Sequence, residues 1–329
     1  MTMKLSAWPG LTARMLPKNG DSITKVIFRS IAPPLLGIMI FLSFWQVGAS
    51  HVQTSLGTLP GPLAVINQAG NLYQEYLDEK ARKVNFDERQ KLRKAEFLAQ
   101  NPGQTFDVIY YTGQPTYLDQ IFTSLYTVFV GFMLGTIIAV PLGILCGLNK
   151  TMQAAINPLI QIFRPVSPLA WLPIVTLVVS ALYVSADPMF AKSFVISAIT
   201  VTLCSMWPTL VNTALGVASI DKDLLNVSRV LRLSTRTKIM KIVLPSSLKL
   251  IFTGMRLSLG VAWMVLIAAE MLAQNPGLGK FVWDEFQNGS AQSLQRIMVA
   301  VFTIGFVGFV LDRIMHTLQQ MASFGQRTD

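Results

Sequence analysis

Charge is scarce in this sequence. Of its 329 residues 13% are Asp, Glu, Lys or Arg, while 52% are hydrophobic. Soluble domains carry roughly 25% charged residues, so an ordinary water-soluble domain is excluded, and the mean hydropathy of +0.48 agrees. Histidine and cysteine are scarce too. His51 and His316 stand far apart in the sequence, and Cys146 and Cys204 both fall inside apolar runs. That leaves no metal-ligating cluster and no nucleophile beside a base. Nor is there a disulfide framework, since thiols inside apolar runs behave as small hydrophobes. A phosphate-cradling P-loop is also missing. The nearest string, Gly277-Leu-Gly-Lys-Phe281, has Phe where Ser or Thr is required. The chain is therefore expected to be no enzyme, to bind no metal and to hold no cofactor of its own. Residues 1–27 carry Lys4, Arg14, Lys18 and Lys25 but no apolar core, so no cleavable signal peptide is expected. The run Ile31 to Val47 reads instead as a retained signal anchor.

What is present is a series of long apolar runs. Six segments reach the roughly 20 residues that cross a hydrocarbon core: about 29–50, 121–148, 157–183, 193–217, 247–273 and 297–317. The expected fold is all-α and polytopic, with six transmembrane helices. The formal net charge of +10 sits beside these runs, so the positive-inside rule accounts for it better than nucleic acid does. Residues through Arg29 hold five basic side chains against Asp21 alone. The segment 221–249 holds Lys222, Arg229, Arg232, Arg236, Lys238, Lys241 and Lys249 against Asp221 and Asp223. With six crossings, both segments and both termini lie on the cytoplasmic side. Residues 51–116 then form an extracytoplasmic insert, where seven basic and seven acidic residues balance. Asp78–Arg82, Glu79–Lys83 and Asp87–Lys91 are acid-before-base pairs at i,i+4, which predicts helix there. Glycines at Gly131, Gly135, Gly143 and Gly147 let helices approach closely, predicting a packed bundle. Pro141 implies a kink.

The informative segment is the stretch 221–249, DKDLLNVSRVLRLSTRTKIMKIVLPSSLK. Leu224, Leu225, Val227, Val230 and Leu231 recur at helical spacing and give one apolar face. Asp221 or Asp223 can cap this helix. A second run, Lys238 to Leu244, is expected to end at Pro245, with a basic bend from Arg232 to Lys238. Such amphipathic pieces either lie among lipid headgroups or dock into a groove on a partner. The residues alone leave both open.

A family pattern separates them. The segment resembles the EAA loop of binding-protein-dependent ABC transporter permeases, Glu-Ala-Ala, three residues, Gly, nine residues, Ile, one residue, Leu-Pro. Ile242, Leu244 and Pro245 match its end. Counting back places its glycine at Arg232 and its Glu-Ala-Ala at Asn226-Val227-Ser228, so the glutamate and the glycine are replaced. The strings SMWPTLVNTALGV, NVSRVLRL, KIVLPSSLKLIFTGMRLSLGVAW, AAEML and GLGKFVWDEFQ resemble the nitrate, sulfonate/taurine and bicarbonate permease group, over roughly residues 115–318. Asn226-Val-Ser-Arg-Val-Leu-Arg-Leu233, Ile251-Phe-Thr-Gly254 and Phe281-Val-Trp-Asp284 look most like nitrate permeases.

The resemblance implies a type I importer permease. Its parts would be a cytoplasmic segment 1–28, a first span 29–50, the periplasmic insert 51–116, a five-helix domain 117–318 with coupling loop 221–245, and a cytoplasmic tail 319–329. It also implies partners: cytoplasmic ATPase subunits that carry the ATP and Mg, a substrate-binding protein, a second permease copy and membrane lipid, with no nucleic acid. The location implied is a bacterial inner membrane. Nitrate is the leading cargo, with nitrite, cyanate, bicarbonate, or taurine and alkanesulfonates as alternatives. A membrane sensor or scaffold that moves no solute is the distant rival.

Two charges fall inside the fifth run, Arg256 and Glu270, and intramembrane charges are functional candidates by default. Arg256 is the candidate for the anion path, because its fork can donate two parallel hydrogen bonds to a planar oxyanion. Pairing within the bundle is its alternative. Glu270 would repel an anion and is expected to be structural. Asp312 and Arg313 read as interfacial. Ser167, Trp171, Pro173, Thr200, Thr202, Ser205 and Asn212 are weaker candidates for lining a polar path.

Overall fold

In the computed structural model the described residues are 23–54, 57–101, 105–184, 189–290 and 292–323. Expectations for residues 1–22 and 324–329 lie outside them. The chain is helical nearly throughout: α1 (Ile23–His51), α2 (Pro62–Gln100), α3 (Tyr117–Leu148), α4 (Lys150–Phe163), α5 (Pro168–Leu182), α6 (Lys192–Ala218), α7 (Lys222–Val230), α8 (Thr235–Lys238), α9 (Leu244–Ala273), α10 (Leu278–Asn288) and α11 (Ser293–Ser323). A minimal antiparallel hairpin, β1 (Gln53–Thr54) with β2 (Gly57–Thr58), turns the chain between α1 and α2.

Five helices among the described residues are long and apolar enough to cross a membrane. The bent pair α4–α5 brings the count to six if it acts as one span. The third expected span, 157–183, is thus not one continuous helix. Its halves meet at 102°. The cause is local: Pro165 and Pro168 supply no N–H to continue the ladder, and Ser167 restarts it, its Oγ accepting from Leu169 N at 3.3 Å. In α1, Pro33 and Pro34 lie inside the helix rather than at its opening. Each removes one backbone bond without ending the helix.

The bundle is built on α3, α6 and α9. The glycines of α3 lie against α6. A Cβ added at Gly131 would sit 2.7 Å from Val201 Cγ1, and one at Gly143 would sit 2.6 Å from Thr213 Cβ. No larger residue fits that approach. Thr202 Oγ1 donates to Gly131 O across the same seam at 2.9 Å. α3 opens with a capping box between Thr116 and Asp119. By contrast α1 buries none of its apolar window. It touches the bundle through Trp45, whose ring stacks on Phe302 and whose Nε1 donates to Pro60 O at 3.1 Å.

α3 and α6 run in the same direction and α9 runs against them, so the bundle has two ends. One carries the insert and α10. The other carries the segment from Asp221 to Pro245, here called the hook. The insert is mainly α2, as the charge pattern predicted, but the expected i,i+4 pairs are not the ones formed. Among the described residues, Glu79 pairs with Arg82 at 3.2 Å, one step closer in sequence. Its other oxygen accepts from Tyr111 Oη at 2.6 Å, which turns the carboxylate toward the returning chain. Arg296 of α11 fastens the insert to the bundle, pairing with Glu75 of α2 and, at 2.7 Å, with Glu285 of α10.

Candidate functional site

The hook is held to the bundle by its apolar residues. Ile144 of α3, Val217 of α6, Ile220 just beyond it and Val243 form a buried cluster, and Leu225, Ile239 and Leu244 pack on it. Asp221 caps α7, its Oδ1 accepting from Asp223 N at 2.9 Å. The apolar face of α7 therefore divides. Leu225 turns inward, while Leu224, Val227, Val230 and Leu231 are 47%, 52%, 82% and 63% exposed. Buried Ser228 bonds back to Leu225 O at 2.6 Å. Of the expected coupling residues, Asn226, Val227, Arg232 and Pro245 are exposed, Ile242 is half-buried, Ser228 is buried, and Leu244 packs on the cluster beneath.

The second half of the hook differs from expectation. Ser234 starts α8, its Oγ accepting from Thr237 N at 3.2 Å. The chain then passes through one π turn, Ile239–Val243, into α9 without a stop. Pro245 does not end a helix. The helical path Thr235–Ala273 is 39 residues long. The π turn explains why. Leu244 N donates five residues back, to Ile239 O, so the register has already shifted where proline removes its donor. The second half of the hook is therefore mechanically continuous with the fifth apolar run.

The turn between α7 and α8 has a specific geometry. Leu233 N donates to Ser228 O at 3.0 Å, five residues back. Arg232 between them has φ 48°. This is a Schellman ending with Arg232 at the position that glycine usually holds. A Cβ in the left-handed region costs about 1–2 kcal/mol. The geometry thus accounts for the glycine in the pattern this segment resembles, and shows that the turn persists without it.

Inside the bundle the two charges of α9 have different settings. Arg256 donates to Asp312 of α11 through Nε at 2.6 Å and through Nη2 at 2.8 Å. Asp312 is thus not simply interfacial. Two parallel bonds occupy one edge of the fork expected to receive an anion. Beside them Gln319 Nε2 donates to Thr253 Oγ1 at 2.8 Å, and Trp263 Nε1 to Ile304 O at 3.0 Å. The three contacts lock α9 to α11.

Glu270 is fully buried. Ser124 Oγ of α3 lies 2.9 and 2.8 Å from its two oxygens, and Gly279 N in the first turn of α10 donates to Oε2 at 3.0 Å. Ser124 in turn accepts from Leu278 N at 2.9 Å. A carboxylate at a helix N-terminus is favoured by the backbone dipoles. Nearby, Asn275 Nδ2 donates to Thr127 Oγ1 at 3.3 Å, and Ser193 of α6 donates to Asn275 Oδ1 at 3.4 Å. This network joins four helices. Sequence reasoning missed Asp312, Ser124 and Asn275 as partners. The only available signal was the sign of one charge and the hydroxyl or amide of the others.

The remaining pathway candidates bond mostly to backbone. Thr200 donates to Ile196 O, Thr202 to Gly131 O and Ala198 O, and Asn212 to Pro208 O. Trp171 packs on Phe163 at the break between α4 and α5. Among the described residues no group of three or more His, Cys, Asp or Glu could hold a metal.

Comparison with known proteins agrees with this geometry. Residues 139–323 match the family described as binding-protein-dependent transport system inner membrane component. The bicarbonate transport system permease protein CmpB of Synechococcus elongatus is 35% identical over 319 residues, 94% of this chain and 98% of that one. The nitrate import permease protein NrtB of the same organism is 33% identical over 293 residues, 88% of this chain and 89% of that one. Among solved structures, a chain of the MetNI methionine ABC transporter in an inward-facing conformation matches with TM-score 0.53 and 13% identity. The match covers 63% of this chain and 95% of that one. This last likeness concerns the fold.

Proposed function

Because this chain belongs to the family of binding-protein-dependent transport system inner membrane components, we propose that it is the permease of an ATP-driven importer for a small planar oxyanion, nitrate first. It is a multi-pass transport subunit and not a catalytic enzyme. The observation that carries the reading is the hook. It is a capped amphipathic helix with an exposed apolar row, and its base runs unbroken into the fifth span. A push on such a piece moves a transmembrane helix as a rod. The natural partner is a cytoplasmic ATPase that closes and opens with ATP and Mg held on its own chain. The hook and both termini then lie in the cytoplasm, in a bacterial inner membrane. The insert faces the compartment where a substrate-binding protein delivers cargo, and a second permease copy completes the path.

Nitrate and bicarbonate share the features a path reads: three oxygens around a planar centre and one negative charge. Bicarbonate is the second reading, supported by the near full-length similarity to the bicarbonate permease. For Arg256 the proposed role is bracing α9 against α11, given its bidentate bond to Asp312. The test is uptake of isotopically labelled nitrate and bicarbonate by cells expressing this chain with its ATPase and binding protein. Vanadate-sensitive accumulation of nitrate is the expected result. Accumulation of bicarbonate alone would move the assignment to the second reading. Accumulation of neither, with the complex assembled, would refute transport of this anion class.

A further inference from the structure

Arg232 occupies an unfavourable position with no return inside the molecule. Its φ is 48°, in the left-handed region where a glycine is free of strain. The side chain is exposed. Among the described residues the ion pairs join other groups, and Arg232 is in none of them. Strained residues of this kind cluster where the strain serves a binding or switching role. The setting narrows the role. Arg232 follows directly on the exposed pair Val230 and Leu231. The hook around it carries Lys222, Arg229, Arg236, Lys238 and Lys241 against Asp221 and Asp223. An apolar row ending in an unpaired cation complements an apolar groove ending in an acid.

We propose that Arg232 is the charged anchor of the hook, and that the ATPase subunit meets it with a carboxylate at the end of its docking groove. The inference rests on the importer reading and adds the chemistry of the contact. Where the family pattern has an acid before the turn and a glycine in it, this chain has Asn226 and Arg232, so the segment loses an acid and gains a cation. A guanidinium rather than an ammonium suits the position, because its planar fork takes a carboxylate through two bonds. Its cognate ATPase is then expected to discriminate against permeases that present an acid at the hook.

The experiment uses the permease–ATPase complex in nanodiscs of phosphatidylcholine alone. Retention of the ATPase and its stimulation by loaded binding protein are measured for the parent, R232K, R232G and R232E. All four are expected to fold, since glycine relieves the turn and the other two keep the parent's backbone preference. R232E should reduce retention about tenfold or more. R232G should fall between, with a weaker salt dependence, and R232K should stay nearest the parent. An acid-to-base change in the ATPase, at the site crosslinked by R232C, should restore R232E. Retention of R232E equal to the parent overturns the proposal. So does an Arg232 dependence that appears only when phosphatidylglycerol is added, which would assign the side chain to lipid. A parent permease that retains no ATPase at all refutes the importer reading instead, a separate result.

Discussion

The two ends of α9 solve opposite problems. At the insert end, Glu270 is buried and its oxygens are met by Ser124 and Gly279. At the hook end, Arg232 is exposed, strained and unpaired among the described residues. A buried charge left without partners costs several kcal/mol, so the fold must satisfy it internally. An exposed charge costs little to leave open, so it is available to another molecule. The Glu270 carboxyl is thus answered inside the bundle, while the exposed guanidinium of Arg232 stays open to another molecule.

The comparison breaks first at Glu270. Glu270→Ala leaves the Ser124 hydroxyl and the Gly279 N–H buried without an acceptor, a loss of about 3 kcal/mol or more. Thermal melting in detergent should fall sharply, and α10 should become accessible to proteases. Glu270→Gln keeps one acceptor and should fall less. A melt unchanged by Glu270→Ala would mean that the insert end does not rest on this carboxyl.

Arg256 and Asp312 test the same idea at smaller scale. Their side chains are 33% and 38% exposed, so breaking the pair is expected to lower stability by about 1–2 kcal/mol. If the pair is a brace, Arg256→Gln and Asp312→Asn should lower assembly alike, and the double variant should lose little more than either. Loss of uptake in Arg256→Gln with assembly intact would instead return Arg256 to the anion path.

Arg232→Gly should move in the opposite direction. Relief of the left-handed residue is expected to raise stability by about 0.5–1 kcal/mol while coupling to the ATPase falls. A rise in melting temperature without loss of coupling would erase the contrast between the two ends. The smallest effect belongs to Tyr111 in the insert. Its hydroxyl is held above the usual tyrosine pKa, first by its hydrogen bond to Glu79, then by burial and the Glu79 charge. A group raised on folding contributes below its unfolded pKa of about 10 and loses that contribution as pH rises further. The parent insert should therefore loosen in alkali more than Tyr111→Phe does, as read by hydrogen exchange of α2 across that range.

Much of the architecture was legible because it is local. The apolar runs at 121–148, 193–217, 247–273 and 297–317 each correspond to a helix found. The glycine spacing of α3 named a packing face that does lie against α6. The charge pattern of the insert announced α2. The one overturned expectation in the hook was also local in origin. Pro245 read as a stop because the one-residue register shift before it leaves no mark in composition. The run 157–183 still serves as a sixth span if α4 and α5 act together, and only the bend between Phe163 and Pro168 escapes hydropathy. At the candidate site the hook and its exposed row were readable, whereas the positive φ of Arg232 showed only through the glycine of a related pattern.

The sequence by itself determined which segments leave water and which segment forms the hook, because hydropathy, helical periodicity and capping act over a few residues. Only the tertiary structure decided that Arg256 meets Asp312, 56 residues on, and that Ser124 meets Glu270 across 146. Such partnerships depend on how each helix is rotated and at what depth it crosses its neighbour. Close packing across the whole bundle sets those two quantities, and no stretch of chain specifies them alone.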